Sequence, residues 1–369
     1  MMLKKMLKLS IDLMAIKSNK KQILFLSDDW GSLRIRSKKD QVVLIKNEYQ
    51  INNRFDQYDS LETNDDIELL FEVLKKHKDI NGNHPVITAV TNTGNPDFKK
   101  IKESSFQEYA YETIEATYNR YPDSDRVLSL IRKGIDNKIF VPQSHGREHV
   151  QINWWMSELK NNQSFSNKVF NNEFFFTPKH LMNSNYRNRD IAAAFDTWEQ
   201  KDIDLHKRVI ETGLNDFEYL FGYRSKLFTP PAMFYNSLIE KDLVCHGIEW
   251  LDVGRFFKTP QIGGGESWQL NYLGRKKKSG IKVLVRNGMF EPNISDTDDG
   301  VDRAMFDIEQ AFKAKQPAIL SNHRAAFVGR IDEKNRAKGL KALDELITKV
   351  LKKWPDVEFI SAVDFTANY

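Results

Sequence analysis

The chain has one cysteine, Cys245, among 369 residues, so no internal disulfide can staple it. It also lacks any run near the roughly 18 apolar residues that a membrane-spanning helix needs. Neither charge is in excess: Lys plus Arg number 55 and Asp plus Glu 51, a net charge of +4. That balance lacks the basic stripe of a nucleic-acid binder, so nucleic acid is not an expected partner. No internal repeat or low-complexity tract is present. Such a chain holds together by burying apolar side chains, and at 40% hydrophobic and 12% aromatic it has the material.

The first 21 residues, "MMLKKMLKLSIDLMAIKSNKK", start like a signal peptide. Lys8 and Asp12 then break the apolar run, and no small-residue cleavage site follows. Leu3, Met6, Leu7, Ile11, Leu13 and Met14 recur at roughly helical spacing. They predict a basic N-terminal helix or extension, packed under the fold or resting weakly on a membrane surface. With one cysteine and no export signal, a cytoplasmic location is expected. Residues 22–369 are expected to form a single domain. The dense basic cluster "GRKKKSG" (274–280) lies between glycines and reads as a solvated hairpin tip.

Eight apolar or β-branched runs each end at polar, Gly or Pro punctuation: 23–29, 85–97, 140–146, 221–231, 248–254, 282–288, 318–323 and 358–364. Helical periods lie between many of them, at 65–79, 124–136 and 338–354. Strands alternating with helices predict an α/β fold with a parallel sheet, closed as a barrel or doubly wound. Residues 150–215 are richer in aromatics, Asn and charge, and read as an elaborated helical or loop insertion. In a barrel the C-terminal strand ends share one face, where active sites are built. The polar residues cluster there: Asp28 and Asp29, Asn92, His145, Asp252, His323.

In "FLSDDWGS" (25–32) two carboxylates stand side by side where an apolar strand ends. Like charges repel, so a cation, a shared proton or solvent must compensate. In "VPQSHGREHV", His145 and His149 are four apart, a spacing that puts both on one face of a helical turn and is common for metal pairs. One aspartate added to them makes a two-His, one-carboxylate set that leaves metal positions open, while the other stays nearby as a base. His323 ends the strand of "AILSNHRAAF", where a catalytic histidine would stand.

Together these motifs resemble the NodB-homology polysaccharide deacetylases, carbohydrate esterase family four. Ser27-Asp28-Asp29-Trp30-Gly31 is similar to the family's T-F-D-D-G, and His145-Gly146-Arg147-Glu148-His149 to H-S/T-x-x-H. Leu320-Ser321-Asn322-His323 matches L-x-x-H. The third motif, R-x-P-Y-G, is poorly matched by "FTPPAMF", with Pro231 at the proline place and Thr229 at the arginine place. Arg224 or Arg324 would then substitute for the arginine. The Asp/Trp motif corresponds, in altered order, to Trp250 and Asp252.

The resemblance spans about residues 22–364. It implies a distorted (β/α) barrel and a metal-dependent hydrolase removing acetyl groups from a carbohydrate of cell-surface polysaccharide metabolism. Asp29, His145 and His149 would hold the divalent metal, Zn²⁺ first, with Co²⁺, Mn²⁺ or Ni²⁺ also suited. Asp28 would be the base, His323 the acid, and Asp252 the residue behind His323. Trp30, Thr229, Pro231, Arg324 and Asn92 are the expected substrate-side residues; Trp154 and Trp155 could stack on sugar rings, and Arg34 and Arg36, just past the aspartates, could meet an acidic sugar or a phosphate. A related hydrolase of a non-sugar amide, or an inactive glycan- or partner-binding barrel, is the alternative.

Overall fold

The structure is a computed structural model and describes residues 14–183, 190–295 and 297–369. Most of the predicted N-terminal helix, residues 1–13, lies outside the described residues. Nine strands share one sheet: β1 (Lys21–Trp30), β2 (Ile87–Thr91), β3 (Phe140–Ser144), β4 (Leu227–Phe228), β5 (Trp250–Asp252), β6 (Lys282–Leu284), β7 (Gly288–Met289), β8 (Ala318–His323) and β9 (Val357–Phe359). Every pairing is parallel, in the order β6-β5-β4-β3-β2-β1-β8-β7, with β9 against the start of β1.

The two ends of that order, β6 and β7, are consecutive in sequence, with only Val285, Arg286 and Asn287 between them. One stretch of chain therefore leaves the β5 side and joins the β8 side, curling the sheet into a distorted barrel with a seam at 285–287. The run expected as one strand over 282–288 breaks there. Asn287 bridges the break, its side chain accepting from the Ile319 amide (2.8 Å) and donating to the Pro317 carbonyl (2.9 Å).

Strand alternation sorts the core. Leu24, Leu26, Val90, Leu227, Leu284 and Ile319 fill the barrel interior, closed below by Phe365 of the helix Ala362–Asn368. Ala15 and Ile16 pack with this cluster. Ile23, Phe25, Ala89, Phe140 and Leu320 belong to the larger cluster, which buries helices such as Asn64–Lys75, Val127–Asp136 and Glu333–Lys353. The last strand is shorter than expected because Ser361 caps a helix, its side chain and that of Asp364 forming a reciprocal capping box. Between β3 and β4 run the helices Ile152–Leu159, Phe165–Val169 and Gln200–Phe221, the last reaching into the run expected to be strand from 221. Trp154 and Trp155 are buried there, Trp155 among Phe98, Phe170 and Phe175. In the basic cluster Lys276 and Lys278 are exposed, but Lys277 turns inward to pair with Glu240 at 2.5 Å.

The helix Glu333–Lys353 crosses the turn after β8 closely. A Cβ at Gly339 would stand 1.8 Å from the Ala326 carbonyl oxygen. Gly339→Ala should therefore lower stability by about 2–3 kcal/mol in urea unfolding; an unchanged midpoint would show that the helix is not held against this turn.

Candidate functional site

Adjacent strand residues normally point to opposite faces, so Asp28 and Asp29 should not both reach one cleft. Here β1 carries a bulge: Ser27 pairs with Ala89 but Trp30 with Thr91, giving β1 one extra residue. Asp29 takes it up with a left-handed φ of 75°. Both carboxylates then line a cleft of about 380 Å³ at the C-terminal strand ends, with His145, His149, Thr229, Ser321 and His323. A non-glycine residue in that region costs about 1–3 kcal/mol, so the surroundings must hold it.

They do. Buried Glu62 accepts from the Gly31 amide (2.9 Å), and buried Asn95 binds both the Gly31 carbonyl (2.8 Å) and the Leu33 amide (2.7 Å). Arg324 donates to the Ser32 carbonyl (2.9 Å), to Glu62 (2.7 Å) and to Asp59 (2.9 Å). Tyr118 donates to Glu62 as well.

The histidines converge without a helix. Residues 145–150 are irregular, and the helix starts at Ile152, so the helical-turn reading of their spacing does not apply. Gly146, at φ 81°, makes the bend, and a Cβ there would meet Phe195 at 3.0 Å. Asn92 donates to the His145 carbonyl (2.9 Å), and the Thr93 and Gly94 amides hold the Arg147 carbonyl. The Nε2 atoms of His145 and His149 lie 3.3 and 3.4 Å from Asp29 Oδ1. His145 Nδ1 faces the Thr229 carbonyl at 2.7 Å and must donate to it. On a neutral ring, Nε2 then turns a lone pair toward a carboxylate oxygen, an arrangement that needs a proton or a cation between them. The ligand atoms of Asp29, His145 and His149 all lie within 4.8 Å of one another. This set fits a divalent cation. Burial raises the Asp29 carboxyl, but hydrogen bonds from both histidines and the charges of His149 and His323 hold it well below the usual range. Burial lowers His149 despite Asp29.

Asp28, in register with His323, has a different partner. Arg286, from the barrel seam, donates to both Asp28 oxygens at 2.7 Å and to Asp252 at 2.6 and 2.8 Å. Thr229 donates to the same Asp252 oxygen (3.0 Å). Burial raises the Asp252 carboxyl, against the pull of Arg286. His323 Nδ1 faces Glu291 at 2.5 Å, and Arg54 braces Glu291 at 3.1 Å. Burial lowers His323, but the charge and hydrogen bond of Glu291, then Asp28 and Asp29, bring it above its usual value.

No protein-family model and no curated protein sequence matches the chain. Among solved structures, a proposed glycoside hydrolase/deacetylase from Parabacteroides distasonis matches with a TM-score of 0.50 and 7% identity, covering 95% of this chain and 71% of that one. The two share the fold, a distorted (β/α) barrel. A proposed polysaccharide deacetylase from Mycobacterium smegmatis matches at 0.47 and 11% identity, covering 96% of this chain and 92% of that one. A CE4 family pseudoenzyme from Bacillus anthracis matches at 0.39 and 12%, covering 93% and 64%. The chain spans 40% of a 4-alpha-glucanotransferase from Thermococcus litoralis (TM-score 0.46, 10% identity, 95% of this chain).

The barrel gathers Asp28, Asp29, His145, His149, His323 and Thr229 at the cleft and sends other expected residues elsewhere. Trp30 is fully buried, its indole donating to Ser27 (3.0 Å) and packing edge-on against Phe140. Asn92 is fully buried and supports the histidine loop instead of reaching substrate. Pro231 packs behind Gly146, while its neighbours Ala232 and Met233 line the cleft. Arg324 is buried in the Asp59–Glu62 network, and Arg224 is exposed beside Glu218, so neither supplies the missing arginine. Arg286 does. Asp252 sits beyond that arginine, and Glu291 takes the place behind His323 expected for it. Arg286 was findable as the inward residue at the end of "KVLVRNG"; Glu291 lies in a loop with no comparable signal.

Arg286→Met would leave Asp28 and Asp252 buried without their shared cation. We expect a loss of about 3–5 kcal/mol at neutral pH. The Asp252 carboxyl, already raised by burial, would lose the guanidinium that pulls it down and titrate further above its unfolded value, so the deficit grows as pH rises through that window and shrinks on acidification. Urea unfolding across pH checks this; a pH-independent deficit would mean the arginine acts through packing.

Proposed function

We propose that the chain is a metal-dependent hydrolase that removes acetyl groups from a carbohydrate. One observation carries the reading: of two adjacent carboxylates in one cleft, Asp29 faces two imidazole nitrogens, and Asp28 lies between a guanidinium and a third histidine. That division supplies a cation site and an acid–base pair side by side. The deacetylase-type fold supports a glycan as substrate class.

A divalent ion held by Asp29, His145 and His149 would polarise the acetyl carbonyl and make a bound water acidic. Asp28 accepts the proton of the attacking water, its carboxylate fixed by two bonds from Arg286. His323, whose Nε2 lies 3.7 Å from Asp28, donates a proton to the leaving amine or hydroxyl. Glu291 keeps that ring charged and turned. Thr229 fixes the His145 tautomer through its carbonyl and orients Asp252 through its hydroxyl.

Elemental analysis of the purified protein should give about one equivalent of a divalent transition metal, lost in Asp29→Ala and His149→Ala. Asp28→Asn should keep the metal and lose about a hundred- to ten-thousandfold in kcat for acetate release from acetylated oligosaccharides. A metal-free parent, even after incubation with Zn²⁺ or Co²⁺, would overturn the mechanism. Glu291→Gln removes the negative charge that raises His323, so the alkaline limb of the kcat profile should move to lower pH. An unmoved limb would take the acid's role from His323.

A further inference from the structure

Arg34 has no part in the chemistry above, yet it lines the cleft. It also lines an adjoining cavity of about 180 Å³, with Gln50, Asn52 and Asn53. Its side chain is only 13% exposed. The guanidinium carbon lies over the Phe176 ring, 3.6 Å from its centre, and 5.7 Å from that of Phe55. Its nearest carboxylate, Asp56, is 3.6 Å away, an ion pair but too long for a hydrogen bond. Asp56 is already engaged by Tyr49 (2.6 Å) and Asn53 (2.5 Å).

Arg34 Nε is buried without a partner. Among the described residues no acceptor takes a hydrogen bond from any of its five N–H groups. A guanidinium so nearly buried is normally satisfied. The ring covers one side of the guanidinium and its N–H groups have no acceptor among the described residues, an arrangement that suits a planar or tetrahedral oxyanion. Asp56 and Asp190 also line the adjoining cavity, and among the described residues no acid of the cleft is hydrogen-bonded to Arg34. Asp28 is held by Arg286, Asp29 faces the histidines, and Asp190 accepts from the Lys179 amide (2.7 Å).

We propose that Arg34 binds an anionic substituent of the glycan, a uronate carboxylate, a phosphate or a sulfate, on the sugar beside the one in the cleft. Gln50 and Asn52 would meet that sugar's hydroxyls, while Asn53 stays engaged by Asp56 and by the Phe55 and Asp56 amides. The inference rests on the carbohydrate reading and narrows it to acidic glycans.

The test is calorimetric titration of the full chain with glucuronate, inorganic phosphate, sulfate and glucose, in the parent, Arg34→Gln and Arg34→Lys. The parent should bind at least one anion and not glucose. Arg34→Gln should weaken that binding by about ten- to a hundredfold, and Arg34→Lys should restore part of it. The preferred anion identifies the substituent. Equal binding by Arg34→Gln, or no anion bound by the parent, overturns the inference. Because turnover is not needed, the outcomes separate. A parent that binds glucuronate through Arg34 but releases no acetate from acetylated glycans keeps this site and loses the hydrolase. A parent that deacetylates neutral oligosaccharides without Arg34-dependent anion binding does the reverse.

Discussion

Two buried carboxylates and the guanidinium between them govern the centre of this molecule. Arg286 has a side chain only 7% exposed and gives two bonds to Asp28 and two to Asp252. Burying three charges is costly, and only the mutual hydrogen bonds offset the lost hydration. Every strand that brings one of these groups is thereby constrained: β1 at Asp28, β5 at Asp252, and the seam between β6 and β7 at Arg286. Thr229, just past β4, joins through Asp252. The orientation of Asp28 is a property of the curled sheet as a whole and not of its own strand.

The Asp29 bulge depends on a second support. Its left-handed backbone is held by contacts that reach Gly31, Ser32 and Leu33 from Glu62, Asn95 and Arg324. Arg324 directly follows His323, so one strand end serves both sides of the sheet. His323 points into the cleft and Arg324 into the structure that keeps the aspartates in place.

Much of this was legible in the sequence, because strand ends in a parallel barrel meet at one face. The aspartate pair, the two spaced histidines and His323 each closed an apolar run, and the structure brings them together. What sequence neighbourhood misjudged was parity. Arg324 and Trp30 adjoin cleft residues and looked available, but Arg324 opens the turn after β8 and Trp30 follows the Asp29 bulge, which resets strand alternation, and both are buried away from the cleft. The same rule, run along the seam, finds the arginine: Leu284 faces the barrel interior, and Arg286, two residues on, faces the cleft. The bulge and the Gly146 bend were beyond reach. Their φ values answer to contacts from Glu62, Asn95 and Phe195, far away in the chain. Glu291 was hidden for a similar reason, since a loop carboxylate has no period to betray its direction.

The seam also orders events in time. Arg286 meets Asp28 across 258 positions of sequence, and it rides on the one piece of sheet that changes neighbours. Loop-closure entropy makes such a contact late in folding. Until it forms, Asp28 and Asp252 stand as like charges on an open rim, and their repulsion keeps the rim hydrated. Zipping the last strand would therefore expel that water and fix the Asp28 carboxylate in one step. A chain that has collapsed but not zipped would hold most of its core and still leave Asp28 without a fixed orientation.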